Sequence, residues 1–116
     1  MLARAEYDAL LRSRDPICRK RNIFKRGSVR LQGCQVIKLT GEGITFAQLK
    51  VLMDELRMAR PTNGADVRAL YLNNHEIGDR GADEVGRMLK RNTLIERVYL
   101  RHTGITSAGV KAVLAG

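Results

Sequence analysis

The sequence predicts an α/β fold: a short solenoid of stacked strand–turn–helix units, with parallel strands on a concave face, helices on a convex face and a basic N-terminal helix and arm. Three observations predict it. The chain matches itself at a shift of 28 residues, which sets Leu70 and Leu72 over Val98 and Leu100, Ile77 over Ile105, Gly81 over Gly109 and Val85 over Val113. Within each copy the apolar period switches from two to about 3.6, from a strand to a helix. The positive charge is concentrated before the repeats begin. Residues 1–33 carry nine basic and three acidic side chains, whereas residues 34–66 carry four of each.

Each element follows from local pattern. The strands alternate as Ile37-x-Leu39, Leu70-x-Leu72 and Val98-x-Leu100, so these side chains share one face. An earlier copy starts at Cys34, with Ile37, Leu39 and Ile44 at the same offsets and a helix continuing through Leu49, Leu52 and Leu56. It lies 33 residues before the second copy, and the extra residues fall in the turn-forming run 61–65. The second helix buries Val85, Met88 and Leu89. Thr45 with Gln48 forms a capping box. Asp79 and Ser107 are the expected N-caps of the next two helices. Gly81 and Gly109 are expected to let their helices approach the strand layer closely. The units are thus 34–66, 67–94 and an incomplete 95–116. A single unit of this kind cannot bury its apolar face; stacking does that.

The segment from Leu70 to Ala82 (LYLNNHEIGDRGA) resembles the leucine-rich repeat of the ribonuclease-inhibitor type. The 28-residue period, the Ile-Gly-Asp-x-Gly-Ala turn and the tail Asn92-Thr93-Leu94 are similar to that subfamily, over residues 34–116. Copy one departs from the pattern, since Gln48 stands where later copies have Gly. The family's asparagine after the strand is replaced by Glu42, His75 and Thr103, which are expected to bond turn backbone instead. The resemblance implies a concave face used for binding. Its outward rows would be Lys38, Tyr71 and Tyr99, then Thr40, Asn73 and Arg101. Tyr and Arg are common binding anchors, although cross-strand tyrosine packing on a solvated sheet face would look the same.

Residues 1–33 do not match the repeat. Leu2, Tyr7, Leu10 and Leu11 suggest a short amphipathic helix stopped at Asp15-Pro16, a partial cap for the array. A basic arm follows, with Arg19, Lys20, Arg21, Lys25 and Arg26 within eight residues, a footprint for phosphate or for an acidic partner. Ile23 and Phe24 are expected to staple this arm onto the first unit. At the other end the third unit stops inside its helix, and the uncovered edge would expose Leu100, Ile105, Val110 and Val113.

Composition narrows the function classes. The 116 residues suit one small domain with a net charge of +9 and no Trp, so the core must be aliphatic. No apolar run approaches the roughly 18 residues of a membrane span. Cys18 and Cys34 make no disulfide framework, and Cys34 is expected to be a reduced core residue. A disulfide between them would require close Cα atoms. No signal-peptide h-region is visible, so an intracellular location is expected, mitochondrial or cytoplasmic and cytoskeletal alike. His75 and His102 lie at different repeat offsets without partners at ligand spacing, so neither a metal site nor a cofactor is expected. Gly41-Glu42-Gly43 is a turn whose acid would repel phosphate, and Asp83 and Glu84 are not a working carboxylate pair. No catalytic constellation or small-molecule substrate is expected. The expected function is a non-enzymatic interaction subunit of a multi-subunit assembly, with protein partners. An RNA-binding accessory of a ribonucleoprotein particle and a regulator of an enzyme are the alternatives.

Overall fold

The computed structural model describes residues 17–25, 28–60 and 66–114. They form a mixed α/β structure. β1 (Ile17–Cys18), β4 (Val36–Lys38), β5 (Ala69–Tyr71) and β6 (Arg97–Tyr99) make a four-stranded parallel sheet in chain order. A one-turn helix α1 (Lys20–Ile23) and an antiparallel hairpin of β2 (Phe24–Lys25) and β3 (Ser28–Val29) lie between β1 and β4. The strands β4, β5 and β6 are followed by α2 (Phe46–Met58), α3 (Gly78–Arg91) and α4 (Ser107–Leu114), which pack side by side in the same order.

Register explains the layering. Ile37 pairs with Leu70 and Leu70 with Val98, so the alternating apolar side chains line up on the face turned to the helices. Ile37, Leu39, Leu70 and Leu72 from the strand side meet Leu49, Leu52, Leu56, Val85 and Met88 from the helices, all with no exposed surface. Each such leucine contributes about 1.5–3 kcal/mol by leaving water. A left-handed residue recurs at one offset after each strand: Gly41 at φ 69°, Asn74 at 64° and His102 at 56°. Asn and His are among the side chains that tolerate this region best, which gives His102 a backbone role.

The helix starts match expectation once and depart from it twice. Thr45 and Gln48 form the reciprocal capping box, with Gln48 N donating to Thr45 Oγ1 at 3.1 Å and Thr45 N to Gln48 Oε1 at 2.9 Å. Asp79 does not cap its own helix. It sits in the first turn of α3 and reaches forward, accepting from Thr106 N at 2.8 Å and from the Thr106 hydroxyl at 2.5 Å. Ser107 is the first residue of α4 rather than its cap; the Thr106 hydroxyl accepts from Ala108 N at 3.3 Å. The cause is stacking: α3 and α4 lie close enough for one helix to satisfy the orphan N–H groups of the next.

Gly81 and Gly109 make room both for the turn residue ahead of their own helix and for the neighbouring helix. A Cβ on Gly81 would stand 2.5 Å from Ile77 and 3.1 Å from Leu49 of α2, and one on Gly109 would stand 2.4 Å from Ile105, 2.3 Å from the Asp79 carboxylate and 3.2 Å from Ala82 of α3. Gly86, which the repeat alignment does not single out, is tighter: its Cβ would lie 2.2 Å from the Ala112 carbonyl of α4.

The chain before Cys34 departs most from expectation. The helix expected over Leu2–Leu11 lies outside the described residues. From Ile17 onward the segment is part of the layered structure, because β1 extends the sheet with Ile17 opposite Val36 and Cys18 opposite Ile37. Cys34 is not reduced: it is bonded to Cys18, across a Cα separation of 5.7 Å. Sequence distance hides this pairing: Cys34 lies in the turn ahead of β4, and the chain folded between the two cysteines returns it to β1. Ile23 is completely buried and Phe24 packs against the core, as a staple requires.

Candidate functional site

The helices cover one face of the sheet. The predicted contact rows lie at the alternate strand positions, away from the Ile37, Leu39, Leu70 and Leu72 side chains that meet the helices. Lys38, Tyr71 and Tyr99 stand in register on neighbouring strands, all half-buried. The two tyrosine rings stack with centroids 4.2 Å apart and planes inclined by 11°. The nearby Tyr99 hydroxyl pushes the Tyr71 hydroxyl above its ordinary pKa, against a smaller opposing pull from Arg97. Arg97 belongs to this face too, opposite Ala69 and Val36. It sits at the alternating position two before Tyr99, a signal the repeat alignment carried but the contact rows omitted.

The second row, Thr40, Asn73 and Arg101, lies just past the strand ends, in the turns. Turn backbone keeps it aligned. Gly41 N donates to the Asn73 carbonyl at 3.3 Å and Asn74 N to the Arg101 carbonyl at 2.9 Å. The Asn73 side chain accepts from Arg101 N at 2.6 Å, so neighbouring turns are fastened to each other. Arg101 itself is exposed. The six predicted residues thus fall on one continuous surface, with two tyrosines between cationic side chains.

The turn residues Glu42, His75 and Thr103, at one offset in the three copies, all bond backbone. Glu42 accepts from Lys20 N at 2.9 Å, the His75 imidazole donates Nε2–H to the Leu39 carbonyl, and the Thr103 hydroxyl donates to the Leu100 carbonyl at 2.6 Å. His75 and Thr103 are buried, and these bonds satisfy them. Further along, buried Asn92 joins two units: its amide donates to the Leu56 carbonyl at 2.7 Å, and its oxygen accepts from Leu94 N at 2.7 Å and Ile95 N at 2.8 Å.

The predicted edge residues Leu100, Ile105, Val110 and Val113 also come together. With His102, Thr103 and Gly104 they line a hollow of about 320 Å³ against β6 and α4. The predicted basic arm is not a single free patch. Arg19, Lys20 and Arg21 border a hollow that holds the Glu42 carboxylate. The Arg19 guanidinium is 3.7 Å from that carboxylate, and the Lys20 ammonium donates to the Gly43 carbonyl at 3.3 Å. Lys25 projects from the hairpin, exposed, and Arg26 lies outside the described residues. The segment is folded against the first turn because β1 and the Cys18–Cys34 bond hold it there. A second basic grouping, formed by Arg57 and Arg60 at and just past the end of α2 and by Arg87, Lys90 and Arg91 on α3, was invisible as a cluster because its two halves are about thirty residues apart.

Among the described residues, no three His, Cys, Asp or Glu side chains are grouped to hold a metal ion, and no helix is long and apolar enough to cross a membrane. Asp83 and Glu84 both turn to Arg87, at 3.2 and 3.9 Å. No family model matches the chain, and no curated protein matches it.

Proposed function

We propose that this chain is a non-enzymatic interaction subunit of a larger protein assembly, built as a short leucine-rich-repeat solenoid whose open strand face docks a partner protein. The observation that carries this reading is the stacked Tyr71–Tyr99 pair, held in register with Lys38 and bordered by Arg97 and Arg101. Rigid aromatic side chains lose little entropy on binding, and with Arg they dominate interface energetics. The apolar hollow at Leu100, Ile105, Val110 and Val113 supports a second contact area. The recurring offsets of Gly41, Asn74 and His102, and the chain-order sheet, support the solenoid reading. The subunit would act inside the cell, in a compartment that lets the Cys18–Cys34 bond form.

The RNA-accessory reading is weaker, since the Arg19 guanidinium is engaged by the Glu42 carboxylate and the Lys20 ammonium by the Gly43 carbonyl. The test is sedimentation of the tagged full chain from its own cells, with and without RNase, as wild type and as Tyr71→Ser/Tyr99→Ser. The expected result is a large particle indifferent to RNase that the double variant fails to join while remaining folded. A particle that collapses with RNase, or one that the double variant joins normally, would overturn the proposal.

A further inference from the structure

The C-terminal ends of α2 and α3 lie side by side and enclose a groove of about 530 Å³, lined by Arg57, Met58, Arg60, Arg87, Lys90 and Arg91. Two of the five cations are compensated locally. Arg57 pairs with Asp54 at 3.3 Å, and Arg87 pairs with Asp83 at 3.2 Å. Arg60 donates to the Ala59 carbonyl at 2.7 Å. Among the described residues no carboxylate forms an ion pair with Arg60, Lys90 or Arg91.

Folding alone does not call for this arrangement. A helix C-terminus favours a nearby cation, because the macrodipole places about half a negative charge there. One cation per helix end serves that purpose. Here Arg87 is three and four residues from Lys90 and Arg91 on α3, and Arg60, just past the end of α2, joins Arg57. Like charges at such spacings repel by about 0.2–0.5 kcal/mol per pair on a helix. The groove therefore carries more positive charge than its own helices need, and an anionic ligand would relieve it.

Met58 distinguishes between anionic ligands. It is 67% exposed, although it stands amid the cations. A phosphate backbone offers nothing apolar to cover it, and among the described residues the groove contains no aromatic ring on which a base could stack. Met and Arg together are enriched at protein interfaces, and the flexible thioether adapts to an apolar side chain. We propose that this groove receives an acidic segment of the partner protein, its carboxylates on Arg60, Lys90 and Arg91 and an apolar side chain on Met58. This deepens the docking function above and rests on that reading. It names a second contact, on the helix layer, and the chemistry of what fills it.

The experiment uses the full chain and a fluorescent synthetic peptide of alternating Glu and Leu, with polyglutamate and polyuridine as comparison probes, read by anisotropy. The expected result is salt-sensitive peptide binding that weakens roughly tenfold in Arg60→Gln/Lys90→Gln/Arg91→Gln, the sum of three exposed ion pairs. Met58→Ser should weaken it roughly threefold, by loss of apolar contact, and polyglutamate should bind less tightly than the Glu–Leu peptide. All four positions are on the surface, so the melting temperature should hold and report that each variant is folded. Absence of peptide binding, or binding unchanged in the triple variant, would overturn the proposal. So would polyuridine binding more tightly than the peptide without regard to Met58. Tyr71→Ser/Tyr99→Ser serves as the control that separates the two readings: it should leave peptide binding intact even where it abolishes entry into the particle.

Discussion

Positions 49, 82 and 110 occupy the same offset in successive units, yet Leu49 and Ala82 are completely buried while Val110 is 49% exposed. The strand positions behave alike. Leu39 and Leu72 are fully buried, whereas Leu100 is half-buried. The residue types are similar and the local structure is the same, so the difference comes from the neighbour on the far side. The first and second units are each enclosed by the next; among the described residues, nothing encloses the third. An apolar side chain in a layered array is therefore a core residue only conditionally, because its burial is supplied by another unit.

The largest expected break in this comparison is Leu52→Ala, at a fully buried position. It should cost about 2–5 kcal/mol by lost transfer energy and a residual cavity, read by chemical denaturation. Next is the Cys18–Cys34 bond, which closes the opposite edge of the sheet across 16 residues of sequence. Cys18→Ser/Cys34→Ser should cost about 3 kcal/mol through the freed unfolded chain. It should raise amide exchange in β1 first, making that edge resemble the β6 edge.

A smaller effect concerns the joint between the second and third units. The Thr106 hydroxyl, and then its backbone N–H, hold the Asp79 carboxyl below its usual pKa. A carboxylate whose folded pKa is depressed adds stability above its unfolded pKa of about 3.9, and loses it as pH falls through the folded value. Wild-type melting should therefore decline in acid more steeply than that of Asp79→Asn. Equal acid slopes would show that this link carries no stability. The smallest effect is Val110→Ala, expected to cost no more than about 0.5 kcal/mol because the side chain is already half in water. A loss as large as that of Leu52→Ala would mean that α4 is enclosed in solution.

Charge gives a second comparison. In the densest basic run of the sequence, Arg19 pairs with the Glu42 carboxylate and Lys20 bonds the Gly43 carbonyl, while the groove at Met58 combines cations that are about thirty residues apart. Local charge density thus pointed to the segment where positive charge is partly spent. Contact across the chain produced a second grouping, in which Arg57 and Arg87 are paired while Arg60, Lys90 and Arg91 meet no carboxylate among the described residues.

Much of the fold was legible because it depends on short-range periodicity. Alternation at Ile37, Leu70 and Val98, the Thr45–Gln48 box and the 28-residue offset all act within a few residues or repeat identically. The two rows of the strand face were read from the same alternation, and Leu100, Ile105, Val110 and Val113 from the uncovered third unit. Four features needed the assembled layers. Asp79 bonds the next helix rather than its own, Gly86 admits the Ala112 carbonyl, Cys18 meets Cys34, and β1 joins the sheet. Each depends on the distance between elements that the sequence orders but does not space. Periodicity determines which side of an element is apolar. Which atoms finally touch is decided by how closely the packed helices and strands approach, and a sequence pattern carries no measure of that distance.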